Sequence, residues 1–210
     1  MKDWLEGKDP FIAKTDIIMD NTIHTVYNCV GKGEKGKLDM IEEVFNLDCF
    51  DEGFKAIVFC QQRKGVDAVY NKITEMGFNC SRYHGDMDYK DKDEQYAKFL
   101  SGDNKVLIST DVMARGIDIV TIALVVNYDL PMTKDQTDRM AVSPITYVHR
   151  TGRAGRFGRK CIAMSMVSEE TDIKNMEKIK EYVGNRFKKD LFNDVQISNL
   201  KELVAKQLKD

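Results

Sequence analysis

His149, Arg150, Thr151, Gly152, Arg153, Ala154, Gly155 and Arg156 set three arginines at a spacing of three, with glycines between them. By ordinary residue usage such a run arises on the order of once in 10^8 positions, so it needs a physical reason. A glycine before an arginine removes bulk and lets the backbone turn closely, so that successive guanidinium groups can converge on one small polyanion. A triphosphate is the natural target. An arginine aimed at a transferring phosphoryl group stabilises charge that develops only in the transition state. The plain alternative is a basic loop that coats a surface.

A second run, Ser109-Thr110-Asp111-Val112-Met113-Ala114-Arg115-Gly116-Ile117-Asp118, lies upstream. Thr110, at a strand end and a helix start, can offer a hydroxyl and a helical N–H to a nucleic-acid phosphate. The competing reading is that Thr110 or Asp111 only caps a helix. Gly116 permits close backbone approach, and the Asp118 carboxylate suits a ribose hydroxyl. A third stretch, Gly31 to Lys37, satisfies GxxxxGK, but Leu38 stands where a phosphate loop needs Ser or Thr for magnesium. It reads as a solvated, lysine-rich turn before a helix.

These residues need a scaffold that gathers them. Short apolar runs alternate with amphipathic stretches, the pattern of a parallel sheet covered by helices. Strands are predicted at Thr25–Val30, Ala56–Cys60, Cys80–Tyr83, Val106–Ser109, Leu124–Tyr128 and Cys161–Val167. Helices are predicted at Lys37–Leu47, Gly65–Met76, Asp91–Leu100, Thr171–Val183 and Ser198–Leu208. Residues 1–22 read as a lead-in, 23–188 as one α/β doubly wound domain, and 189–210 as a helical extension. A polar insertion at 133–145, strandless through Thr133–Ser143, interrupts the domain. In a doubly wound sheet ligands gather at the carboxyl ends of the strands, and His84-Gly85-Asp86, Thr110-Asp111 and Asp129 all follow predicted strands.

The chain has 210 residues, 42% of them hydrophobic, which suffices for a substantial core. Its net charge is only −2, so nucleic-acid binding requires a local basic patch rather than a basic whole. Five cysteines, odd in number and without a CxxC pair, read as core residues in a reducing compartment. No metal-ligating set is predicted in this chain. No apolar run suits a membrane span, and the acidic start lacks a signal peptide's basic region. A cytosolic or nuclear monomer is expected.

The second run, together with Asn127-Tyr128-Asp129-Leu130-Pro131 and the arginine run, resembles the C-terminal RecA-like domain of DEAD-box RNA helicases. The resemblance extends upstream through Ala56-Ile57-Val58-Phe59-Cys60 and Tyr83-His84-Gly85-Asp86-Met87, covering about 24 to 186 in order. It implies a RecA-like sheet and an ATP-dependent RNA helicase. It places Gly116 and Asp118 at the ATP ribose and Arg153 and Arg156 at the γ-phosphate, with His149 coupling nucleotide to RNA. Thr110, Gly85, Lys92 and Arg63 would hold RNA phosphates. Lys92 stands where the family often carries arginine, keeping the charge without the fork. Gln61 and Gln62 replace shorter residues after the Phe59-Cys60 strand end, which puts a side-chain RNA contact there in doubt.

The sequence contains no phosphate loop, no Asp-Glu-Ala-Asp and no Ser-Ala-Thr. In the family these belong to an N-terminal RecA-like half, which would supply the Mg2+ ligands, so this chain alone is expected to leave ATP intact. The insertion and the segment from Phe187 resemble the mRNA-export DEAD-box ATPases of the nuclear pore. That likeness implies a nuclear-pore export factor as partner and the nuclear rim as location. A translation-initiation type of helicase, and a stand-alone RNA- or protein-binding module without catalysis, are the other readings.

Overall fold

A computed structural model of the chain describes residues 22–46, 55–111, 122–135, 137–153, 161–187 and 192–193. Within these, seven strands form one sheet: β1 (Thr22–Asn28), β2 (Lys55–Phe59), β3 (Cys80–Tyr83), β4 (Val106–Ser109), β5 (Ile122–Asn127), β8 (Cys161–Val167) and β9 (Phe192–Asn193). Their order is β3-β4-β2-β5-β8-β1-β9, and every pairing is parallel. The helices are α1 (Gly33–Phe45), α2 (Arg63–Glu75), α3 (Tyr89–Ser101), α4 (Pro144–Thr151) and α5 (Glu170–Phe187). This is the expected RecA-like α/β sheet.

The strands alternate their side chains between two buried faces, as period-two geometry demands. Ala56, Val58 and Cys60 pack with Ile41 and Val44 of α1 and Val66, Val69 and Ile73 of α2. Ile57 and Phe59 pack with Leu107, Val125 and Phe99 of α3. At the β8 end, Val167, Leu130, Tyr147 and Val148 meet Met176, Ile179 and Val183 of α5. Alternation thus sends α1 and α2 to one side of the sheet and α3 to the other, leaving the loops after β2, β3, β4 and β5 along a single edge.

Three local expectations are corrected. The insertion contains a hairpin, β6 (Met132–Lys134) with β7 (Met140–Val142). Its strands are too short and polar to carry an alternation signal; the turn is made by Asp135, whose Oδ1 accepts from the Thr137 N–H, the Thr137 hydroxyl and the Arg139 N–H. Phe192–Asn193, read as part of a helical extension, pairs with β1 instead, because Phe192 stacks beside the rings of His24 and Tyr147. α4 was not predicted, although Ser143 caps it by accepting the Thr146 N–H at 3.2 Å and Pro144 opens it. The predicted helix Ser198–Leu208 and the lead-in up to residue 21 lie outside the described residues.

Candidate functional site

Four chain segments meet at the carboxyl edge to form a cleft of about 380 Å³ lined by Gln61, Arg63, His84, Gly85, Asp86, Thr110, Asp111 and Met132. Parallel pairing explains why: Phe59 lies opposite Ser109, and Ser109 opposite Tyr83, so the loops beyond them are brought level. Two polar atoms in this cleft are buried without a partner, Thr110 Oγ1 and His84 Nδ1. A buried unpaired polar atom costs about 1–3 kcal/mol, so a cleft with two such residues in its lining is suited to a ligand that supplies hydrogen bonds. Burial holds the His84 imidazole below its ordinary value, which leaves the ring uncharged at neutral pH.

The neighbouring charges are mostly committed. Arg63 lies 3.5 Å from Asp67 and 3.6 Å from Asp86, with Arg63 and Asp86 exposed and Asp67 half-buried. Lys92 Nζ donates to the Gly85 carbonyl at 2.7 Å, so two residues predicted to hold RNA phosphates are joined to each other. The Thr110 N–H donates to Tyr83 O at 3.2 Å. The expectation that Thr110 offers a helical N–H is therefore corrected: strand β3 takes that donor, and the hydroxyl is what remains.

The arginine run divides. Arg150 is fully buried on α4, where Nε and Nη2 grip Asp111 at 2.5 and 2.8 Å while Nη1 reaches Asn127 Oδ1 and the Asp129 carbonyl. Its guanidinium also covers the Phe59 ring at 5.1 Å. Every face of that fork is occupied, so Arg150 does not converge with the later arginines on a polyanion. It fixes the Thr110-Asp111 loop to the sheet, with Asp111 as its ion-pair partner. Arg153 follows the end of α4, 6% exposed, with Nε donating to the His149 carbonyl at 3.3 Å. His149 is half-buried on α4 itself. Gly116, Asp118 and Arg156 lie outside the described residues.

Lys37 is likewise not solvated. Its Nζ donates to Asp129 Oδ1 at 2.7 Å and lies 5.0 Å from the centre of the Tyr128 ring. The stretch before it turns through Gly31 and Gly33, both at positive φ, and enters α1 without forming a phosphate loop.

Residues 36–158 match the family described as the helicase conserved C-terminal domain. The chain belongs to that family, and to its DEAD-box branch. Eukaryotic initiation factor 4A of Caenorhabditis elegans is 37% identical over 171 residues, 81% of this chain and 39% of that protein. Saccharomyces cerevisiae Dbp5 bound to RNA and ADP BeF3 superimposes with a TM-score of 0.76 at 32% identity, covering 93% of this chain and 47% of that one. The L327V form of the same protein bound to Gle1 H337R and IP6 gives a TM-score of 0.77 at 34% identity over 91% of this chain and 46% of that one. The chain spans less than half the length of each.

Three residues of this helicase C-terminal domain were missed from sequence: His84 as an unsatisfied ring in the cleft, Arg150 as its internal clamp, and Gln61 as a backbone anchor. Helical spacing could have found Arg150, since Tyr147, Arg150 and Thr151 share one buried face of α4. The strand-end motif His84-Gly85-Asp86 places His84 at the edge but cannot show that its ring is left unpaired, and nothing local marks Gln61, whose partners lie beyond β5.

Proposed function

We propose that this domain is the C-terminal half of a DEAD-box ATP-dependent RNA helicase, gripping the RNA backbone at the Thr110 cleft and completing an ATP site with arginines. One observation carries the reading: Thr110 Oγ1 and His84 Nδ1 are buried, unpartnered and in one cleft. Phosphate oxygens accept from a hydroxyl and a neutral imidazole N–H alike, and neither contact reads a base. Arg63 and Lys92 stand at the same rim to add charge. Arg63 is exposed and Lys92 half-buried, and each can exchange its present partner for phosphate.

On the nucleotide side, Gly116 and Asp118 receive the ribose, and Arg153 and Arg156 receive the γ-phosphate. For Arg153 this means exchanging the His149 carbonyl for a phosphate oxygen. An N-terminal RecA-like half supplies the phosphate loop and the Mg2+ ligands, and closure of the two halves assembles the site. The export-type reading draws on the likeness to Dbp5, whose solved complexes contain RNA, Gle1 and IP6; it places the protein at the nuclear rim with an export factor as partner.

The test is a titration of labelled single-stranded RNAs of different sequence at two salt concentrations. Sequence-tolerant binding that weakens steeply with salt supports the backbone reading. Strong preference for one sequence with little salt dependence overturns it. Adding purified Gle1 and IP6 separates the export type, which binds them, from the initiation type.

A further inference from the structure

The Gln61 carboxamide forms a two-point pair with the backbone of Met132. Its Nε2 donates to the Met132 carbonyl and its Oε1 accepts the Met132 N–H, each at 3.1 Å. One strand residue offers another the same pattern, but here a side chain supplies it from 71 residues away. The Gln61 N–H is itself held by Asp129 Oδ2 at 2.9 Å, so the residue is pinned at both ends. The foot of β7 is tied by the Ser143 N–H to the Pro131 carbonyl at 2.8 Å. Gln61 and Met132 line both the Thr110 cleft and a second cavity of about 480 Å³ beside it. They are the partition between the two.

We propose that Gln61 is a positioning residue for RNA, its carboxamide holding β6 as a fixed wall of the cleft so that Met132 packs against the sugars of the bound strand. The inference rests on the RNA-backbone reading of that cleft. A strand whose phosphates meet Thr110 and Gly85 turns its riboses toward the opposite wall, which Met132 provides. An unbranched, polarizable thioether suits a surface that must accept every nucleotide alike. The wall needs an external anchor because β6 has three residues and pairs only with β7.

Two variants separate the anchor from the wall, with binding of a labelled single-stranded oligo(U) to this chain as the readout. Gln61→Leu removes both bonds at similar volume, and Met132→Ala removes the thioether while leaving the backbone pair. Each is expected to weaken binding by about five- to tenfold, and the double variant no more than the stronger single one. Gln61→Glu gives the pH signature. As a carboxylate it repels the Met132 carbonyl, whereas protonated it restores one donor and one acceptor. Its deficit relative to the parent should therefore shrink between about pH 8 and about pH 4, and that of Gln61→Leu should not. The charged groups around position 61 are Asp129, Lys37, Arg63 and Lys64, with His84, Asp86 and Asp111 across the cleft and Glu34, Glu169 and Asp172 in the second cavity; measuring the parent at both pH values removes their share. Thr110→Val tests the underlying reading. If Thr110→Val weakens binding while Gln61→Leu and Met132→Ala bind like the parent, or if their losses add, the positioning role is overturned and the RNA cleft stands. If the parent does not bind, or Thr110→Val binds equally well, the RNA reading fails and takes this inference with it. Should Gln61→Leu fail to fold, Met132→Ala and the pH profile of Gln61→Glu decide.

Discussion

Two neighbouring regions of the carboxyl edge treat polar atoms in opposite ways. Around Arg150, donors and acceptors are used up: the fork meets Asp111, Asn127 and the Asp129 carbonyl, and its face meets Phe59. Next to it, across Asp111, the Thr110 hydroxyl and His84 Nδ1 are buried with nothing to bond. A fold gains nothing from leaving such atoms unpaired, so saturation marks a structural device and deficiency beside a cavity marks a ligand site. Within the arginine run, Arg150 belongs to the saturated side, which is why residue type alone misassigns it.

The sharpest way to break this contrast is to cut the saturated side. Arg150→Ala leaves Asp111 without its partner and should cost about 3–5 kcal/mol of stability, measured by urea unfolding; a loss within 1 kcal/mol would show the clamp to be incidental. Arg153→Lys should do the reverse. Stability should hold, while RNA-stimulated ATP hydrolysis in a two-domain protein carrying an N-terminal RecA-like half should fall on the order of 10^2. Parent-level turnover there removes Arg153 from the nucleotide site.

His24 supplies a third case, an orphan buried in the sheet. Its Nδ1 meets the Tyr147 hydroxyl at 2.8 Å, while Nε2 is buried and unpartnered. Burial pushes its pKa down to about 3 from 6.5, so between those values the unfolded chain takes a proton that the folded one refuses. Stability is therefore lost as pH falls through this window, by about 2–3 kcal/mol from this group between pH 7 and about pH 4.5. His24→Gln should flatten that part of the acid arm in unfolding titrations, and an unchanged slope would rule the ring out as its cause. The smallest effect is expected at Thr110→Val, which removes a lone buried hydroxyl. Thermal denaturation should show stability unchanged or raised by about 1 kcal/mol, even as RNA affinity drops several-fold. A marked loss of stability would mean that the hydroxyl has a structural partner and the cleft is not deficient.

Sequence alone determined the architecture and the address of the site. All six predicted strands are present because a strand buried on both faces must be continuously apolar, a constraint written in consecutive residues such as Ala56 to Phe59. The same locality made Thr110, Gly85 and the arginine run visible, since each is a short motif at a strand or helix end. Only the tertiary structure decided which of those groups are free to act. That Arg150 is consumed by Asp111, that the Thr110 N–H belongs to Tyr83, and that Gln61 replaces a strand partner for Met132 are facts about atoms 27 to 71 residues apart. Hydrogen-bond satisfaction depends on what folding brings within about 3 Å, and no spacing along the chain encodes it.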